Sequence, residues 1–260
     1  MKLPFFQVDA FTSRLYGGNP AGVCPLDAWL DYDVMQSIAA ENNLAETAFF
    51  VAGPDRYHLR WFTPTAEVDL CGHATLASAW VLFEKLGVKG TEVKFDTRSG
   101  VLTVQRSGDL LSMDFPSRPG EPAEAPEALL KGLGLRAAEV FKARDYLVVL
   151  DSEAAVRAVQ PDFSELNKVD TFGIILTGPG KEVDFVSRFF APRMGVPEDP
   201  VTGSSHCTLI PYWAARLGKS RLTARQASQR GGELACEHLG ARVSIAGKAV
   251  LYLEGSIHTP

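Results

Sequence analysis

The sequence predicts an α+β protein of two pseudo-symmetric domains, each a curled, mostly antiparallel sheet (an open barrel) around a central helix. Three observations carry this. First, one stretch occurs twice, as RWFTPTAEVDLCGHATLASAWVLFEKLG (residues 60–87) and RFFAPRMGVPEDPVTGSSHCTLIPYWAARLG (residues 188–218), and the interval from Gly72 to Gly87 equals that from Gly203 to Gly218. Second, the helix of the first copy shows no polar face before Glu84, and a helix apolar on all sides must be enclosed. Third, short segments with strand alternation precede and follow each copy.

Composition narrows the function classes. A chain of 260 residues with 46% hydrophobic and 22% charged residues is globular in type. Its net charge of -5 and pI near 5.6, without a Lys/Arg cluster, offer no footprint for nucleic acid. The N-terminal MKLPFFQVDAF reads as a strand and not as a signal peptide. The longest apolar run lies inside residues 74–83, roughly 15 Å of helix and too short for a bilayer. Cys24, Cys71, Cys207 and Cys236 form no CxxC pair and read as reduced cytoplasmic thiols. Cys71 with His73, and His206 with Cys207, fit no usual zinc spacing, so buried thiols are expected and no metal.

In chain order, residues 2–11 alternate as a strand, and SRLYGGNPAGV (13–23) reads as a loop whose glycines let backbone approach a ligand. Asp31 is an N-cap candidate for a helix over 32–42 with Val34, Ile38 and Leu44 on its apolar face, stopped by Asn42 and Asn43. A strand follows over 47–51, with Glu46 at its mouth: a solvated strand end or a general acid/base. Strands over 58–63, 92–96, 100–105 and 110–115 surround the first central helix. The Pro/Glu/Ala-rich stretch 116–126 marks a break, giving domains 1–117 and 139–260 with a linker region at 118–138, the last strand free to cross to the first domain. The second domain repeats the pattern with strands at 145–150, 171–178, 222–228, 233–238, 241–246 and 250–253, and short helical segments at 152–159 and 162–167.

Residues that match between the copies hold the shared fold: Arg60/Arg188, Phe62/Phe190, Pro64/Pro192, Gly72/Gly203, Leu86/Leu217 and Gly87/Gly218. Residues that differ are candidates for chemistry. Matching Gly53 with Gly178 sets Glu46 against Thr171, His73 stands against Ser204, and Asp199 lies in a loop longer than its counterpart. Two glycine-led helix starts, each with unpaired N–H groups and a positive dipole end, can clamp a carboxylate or a developing enolate if they face one another across a cleft. His73 and Ser204 would add directed donors. No phosphate fingerprint, Schiff-base lysine or metal-ligand set stands out, so no cofactor is expected. Carboxylates, a histidine and anion-binding helix ends suit proton abstraction and return beside a carbonyl or carboxylate.

FQVDAFTS, GGNPAGV, NLAETAF, DLCGHATLA and EDPVTGSSHC, in this order across nearly the whole chain, resemble the phenazine-biosynthesis PhzF-like isomerase family, itself similar in fold to diaminopimelate epimerase. The resemblance implies a cofactor-independent isomerase acting on a small carboxylic acid, with its site in an interdomain cleft, and usually a homodimer. It implies Glu46 as the proton-shuttling acid/base, with His73 and Asp199 assisting and Asn19, Gly72, Gly203 and Ser204 binding substrate. The epimerase relatives use a cysteine at each helix start. Here Cys71 stands at the first, but Thr202 is aligned with it at the second and Cys207 lies about a turn inside. The alternatives are an amino-acid racemase or epimerase using Cys71, and a non-catalytic binding protein that kept the cleft.

Overall fold

Leu3, Phe5, Phe6, Val8 and Ala10 are buried along strand β1 (Lys2–Ala10), and the chain turns through Phe11 to Gly18 into β2 (Asn19–Leu26). The computed structural model describes residues 1–260 and divides into two units, Met1–Asp114 with Ala246–Pro260, and Phe115–Ile245. Only the first part of the expected glycine-rich loop is a loop, because Asn19 to Val23 pair with β1. Gly22 is a packing glycine: a Cβ there would stand 3.0 Å from both the Phe5 ring and Thr47 Oγ1.

Helix α1 (Tyr32–Asn42) has Asp31 at its N-cap without a side-chain cap bond, and it ends at Asn43 in the left-handed region. Its buried face is Met35, Ile38 and Ala39, with Val34 and Leu44 at the margin, so the apolar face is shifted by one residue from the expected one. β3 (Glu46–Ala52) and β4 (Tyr57–Phe62) form a hairpin, and β5 (Glu67–Val68) pairs back on β4. α2 (Gly72–Glu84) is buried from His73 to Phe83 except at Trp80, as a helix without a polar face requires. β6 (Glu92–Thr97), β7 (Gly100–Ser107) and β8 (Leu110–Pro116) follow as a meander.

The second unit starts at Phe115. Residues 118–138, read from composition as a linker, contain β9 (Glu121–Pro122) and α3 (Glu127–Leu133), whose Leu129 and Leu133 join that unit's core. Next come β10 (Glu139–Lys142), β11 (Tyr146–Val149), the short helices α4 (Glu153–Ala158) and α5 (Phe163–Leu166), β12 (Ile174–Pro179) and β13 (Phe185–Phe190). Thr171 precedes β12 and lies outside the strand expected to contain it. α6 (Gly203–Leu217), the second central helix, is followed by β14 (Arg221–Gln226), β15 (Gly232–Leu239) and β16 (Arg242–Gly247). The chain then returns to the first unit as β17 (Ala249–His258), antiparallel to β1.

The duplication is written into the ladders. In the first unit, pairings run β1–β2 antiparallel, β2–β3 parallel, β3–β4 antiparallel, β4–β6 parallel and β6–β7 antiparallel. In the second, β10–β11, β11–β12, β12–β13, β13–β14 and β14–β15 alternate in the same way. The matched arginines form matched forks. Arg60 reaches Glu67 at 2.7 and 2.9 Å and lies over Phe62; Arg188 reaches Glu198 at 2.7 and 2.9 Å and lies over Phe190. Each bidentate pair ties a strand to the acidic loop ahead of its central helix, which sets where that helix starts.

Candidate active site

In the first unit, α1 ends at Asn43 and β3 opens three residues later on Glu46, beside Ala21 of β2. α2 opens at Gly72 with extended Cys71 as its N-cap, and no side chain caps its first N–H groups. An uncapped helix start leaves donors and a positive dipole end for an anion. These two element starts bring Glu46, His73 and Cys71 together. His73 Nε2 is 3.1 Å from Glu46 Oε2, and its Nδ1 is 3.5 Å from Cys71 Sγ. The imidazole is buried, whereas the carboxylate keeps 19% of its side chain exposed. Glu46 Oε2 accepts no well-directed hydrogen bond, so the ionic approach of His73 is its contact within the protein.

Burial alone would lower the pKa of His73, but the adjacent Cys71 and Glu46, through charge and hydrogen bonding, carry it well above the ordinary histidine value. Burial, reinforced by the Glu46 charge, pushes the Cys71 thiol up to about 11, with His73 working the other way. At neutral pH the thiol is therefore protonated and exerts no charge, so the charge that favours the imidazolium there is that of Glu46. Ligand atoms of Glu46, Cys71 and His73 lie within 4.8 Å of one another, a donor set that could hold a zinc-type ion if the thiol gave up its proton. Asn19 and Gly72 also lie in this unit, as the first residues of β2 and α2.

The second unit contains Asp199, Gly203 and Ser204. Asp199 accepts a short hydrogen bond from Thr202 Oγ1, and Thr202 is the N-cap residue of α6, the place Cys71 takes on α2. Gln226 on β14 holds this loop: its Nε2 donates to Asp199 O at 2.8 Å, and its Oε1 accepts from Thr202 N at 2.9 Å. Ser204 Oγ accepts from Arg144, whose guanidinium is itself paired with buried Asp145. Arg144, Asp145 and Gln226 were not identified from sequence. An Arg-Asp pair at the mouth of the DYLVVL strand was the available signal.

The ladders also correct one equivalence. Arg60 pairs with Phe49 and Arg188 with Leu176, which makes Gly173, not Thr171, the counterpart of Glu46. The glycine match misled because Gly53 lies in the turn after β3 while Gly178 lies inside β12.

A curled sheet around a buried helix, repeated, with a carboxylate–imidazole pair at one helix start, places the chain among proteins of the epimerase-like fold. A hydroxyproline epimerase from Agrobacterium vitis superposes with a TM-score of 0.62 at 10% identity over 98% of this chain and 92% of its own, a likeness of fold. The chain belongs to the phenazine biosynthesis-like (PhzC/PhzF) family, whose model matches residues 8–255. It is 55% identical to a Pseudomonas aeruginosa protein named an uncharacterized isomerase, over 99% of this chain and 100% of that one. A crystal structure of a PhzF family protein from Enterococcus faecalis superposes with a TM-score of 0.98 at 45% identity, covering 100% of both chains.

Proposed function

We propose that the chain is a cofactor-independent isomerase that moves a proton on a small carboxylic acid, with Glu46 as the general acid/base. The observation that carries this is the Glu46 carboxylate, its side chain 19% exposed while its Oε2 is buried, short of hydrogen bonds and 3.1 Å from a buried imidazole. A carboxylate in that state is free to accept a substrate proton. The imidazolium beside it offsets charge and can donate to a developing enolate. The isomerase name of the Pseudomonas relative supports the same class. Asp199 is proposed as the second catalytic carboxylate, with Asn19, Gly72, Gly203 and Ser204 binding substrate; the two uncapped helix starts support that role. The family resemblance further supports a homodimer, which light scattering on the purified protein checks, and the four free cysteines support a cytoplasmic location.

The test is incubation with a panel of small carboxylic acids in deuterated water, scored for solvent-hydrogen incorporation. Loss of a general acid/base lowers rates by about 10²- to 10⁴-fold, so Glu46→Gln should lose about that much with its unfolding midpoint preserved. An unchanged rate would remove Glu46 from the mechanism. Cys71→Ser should have a mild effect, because the thiol is protonated at neutral pH. Complete loss of α-hydrogen exchange in Cys71→Ser would favour a racemase instead.

A further inference from the structure

The side chains gathered at the start of α2 have a geometry that an acid/base pair alone does not call for. His73 Nε2 stands 3.1 Å from Glu46 Oε2 and 4.0 Å from Cys71 Sγ, and one ligand atom from each residue lies within 4.8 Å of the other two. Around a tetrahedral zinc-type ion, with bonds of about 2.0 Å to nitrogen and oxygen and about 2.3 Å to sulfur, neighbouring donor atoms lie roughly 3.3 to 3.6 Å apart. The two distances to the imidazole therefore depart from that spacing by only about 0.2 and 0.4 Å. Glu46 has the longest side chain of the three and the least buried, and a turn of its carboxylate closes the remaining gap to Cys71.

Charge fits as well. The neutral thiol, the imidazolium and the carboxylate carry no net charge together, and neither do a divalent cation, a thiolate, a neutral imidazole and a carboxylate. The ion would take the place of two protons, which pass to solvent as the Cys71 S–H and His73 N–H bonds break and the bonds to the metal form. Nothing is added to the net charge of a place where burial makes charge costly. A thiolate and an imidazole select zinc or copper over magnesium and calcium, which take oxygen ligands. Glu46, the partly exposed member, gives the ion its way in. The second unit has Gly173, Thr202 and Ser204 at the corresponding places, and none of them is a thiolate, imidazole or carboxylate. One ion per chain follows.

We infer that Glu46, Cys71 and His73 form a binding site for one zinc-type ion, and that the bound ion holds the acid/base out of action. The ion is inhibitory and takes no part in the reaction. The metal site stands on its own geometry, whereas the inhibition rests on the isomerase reading, because it requires Glu46 to be the group that moves the proton.

Titration of the full chain with cobalt(II), whose bond to a thiolate gives charge-transfer absorption in the near ultraviolet, followed by displacement with zinc, tests the site. One cobalt per chain with that absorption is expected, and zinc should remove it. Cys71→Ser should lose the absorption and weaken zinc by about 100-fold or more, since changes around a metal's outer shell alone cost about 10- to 100-fold. Glu46→Gln, a change at the partly exposed position, should keep the absorption and still weaken zinc about tenfold or more. No charge-transfer absorption in the parent, or the same absorption in Cys71→Ser, overturns the metal site and leaves Glu46 as acid/base untouched. In the deuterium-incorporation assay, zinc should stop turnover by the parent and a chelator should restore it. Undiminished turnover with the ion bound through Cys71 would overturn the inhibition, and the role of Glu46 with it, while the metal site stood.

Discussion

His73 and His206 both lie near the starts of buried helices, yet their surroundings drive them to opposite charge states. His206 is fully buried, its Nδ1 donates to Thr202 O at 2.8 Å, and its Nε2 has no partner. Burial lowers its pKa from 6.5 to about 4, against a smaller opposing effect of the Thr202 contact. The folded protein therefore keeps His206 neutral while the unfolded chain protonates as pH drops below 6.5. The associated stability is complete above that pH and is lost as pH falls towards 4. The loss should reach about 2 kcal/mol by pH 5. Urea unfolding at pH 7.5 and 5.0 checks this: His206→Gln should show a shallower decline than the parent, and an identical decline would be contrary. His73 acts at the other end, since a raised pKa gives stability that disappears as pH rises through the folded value. At this scale the sequence revealed which side chains differ between the copies, but not what they touch. Glu46 and His73 stand far apart in sequence, and only tertiary packing joins β3 to the start of α2.

Helix α6 shows how one residue recruits another element. Pro211 lies inside the helix and has no N–H to donate to the carbonyl of Cys207, four residues earlier. The Arg118 N–H fills that carbonyl at 2.8 Å, which fastens the stretch after β8 to the middle of the helix. Hydrogen exchange should therefore find the Arg118 amide protected although it lies outside any strand or helix, and Pro211→Ala should reduce that protection by supplying a competing donor. An unprotected Arg118 amide in the parent would refute the link. The central helices were legible because glycine boundaries and apolar periodicity are local signals. The start of β2 was not, because Pro20 and Gly22 resemble loop residues until Phe5 and Thr47 are seen packed against the glycine. The Arg60–Glu67 and Arg188–Glu198 forks fall between: the matched arginines were visible, while their partners needed the fold.

At the scale of the whole chain, two runs of paired strands with the same alternation of parallel and antiparallel ladders confirm a duplication that the sequence displayed most clearly around its two central helices. The copies differ in continuity. The second unit is one uninterrupted segment, whereas the first is assembled from both ends of the polypeptide, with β17 laid along β1 from Lys2 opposite His258 to Ala10 opposite Ala249. That pairing makes the first unit a late arrival during synthesis. β1 can pair with β2 early but must wait for β17 before its other ladder closes, whereas residues 115–245 have all their strand partners as soon as they emerge, and domains generally fold as units. Pulse-labelled hydrogen exchange during refolding should find β12, β13 and α6 protected before the β1 amides bonded to β17, and a chain stopped after Ile245 should leave those amides exchanging freely. Simultaneous protection of those β1 amides and β12 would contradict this order.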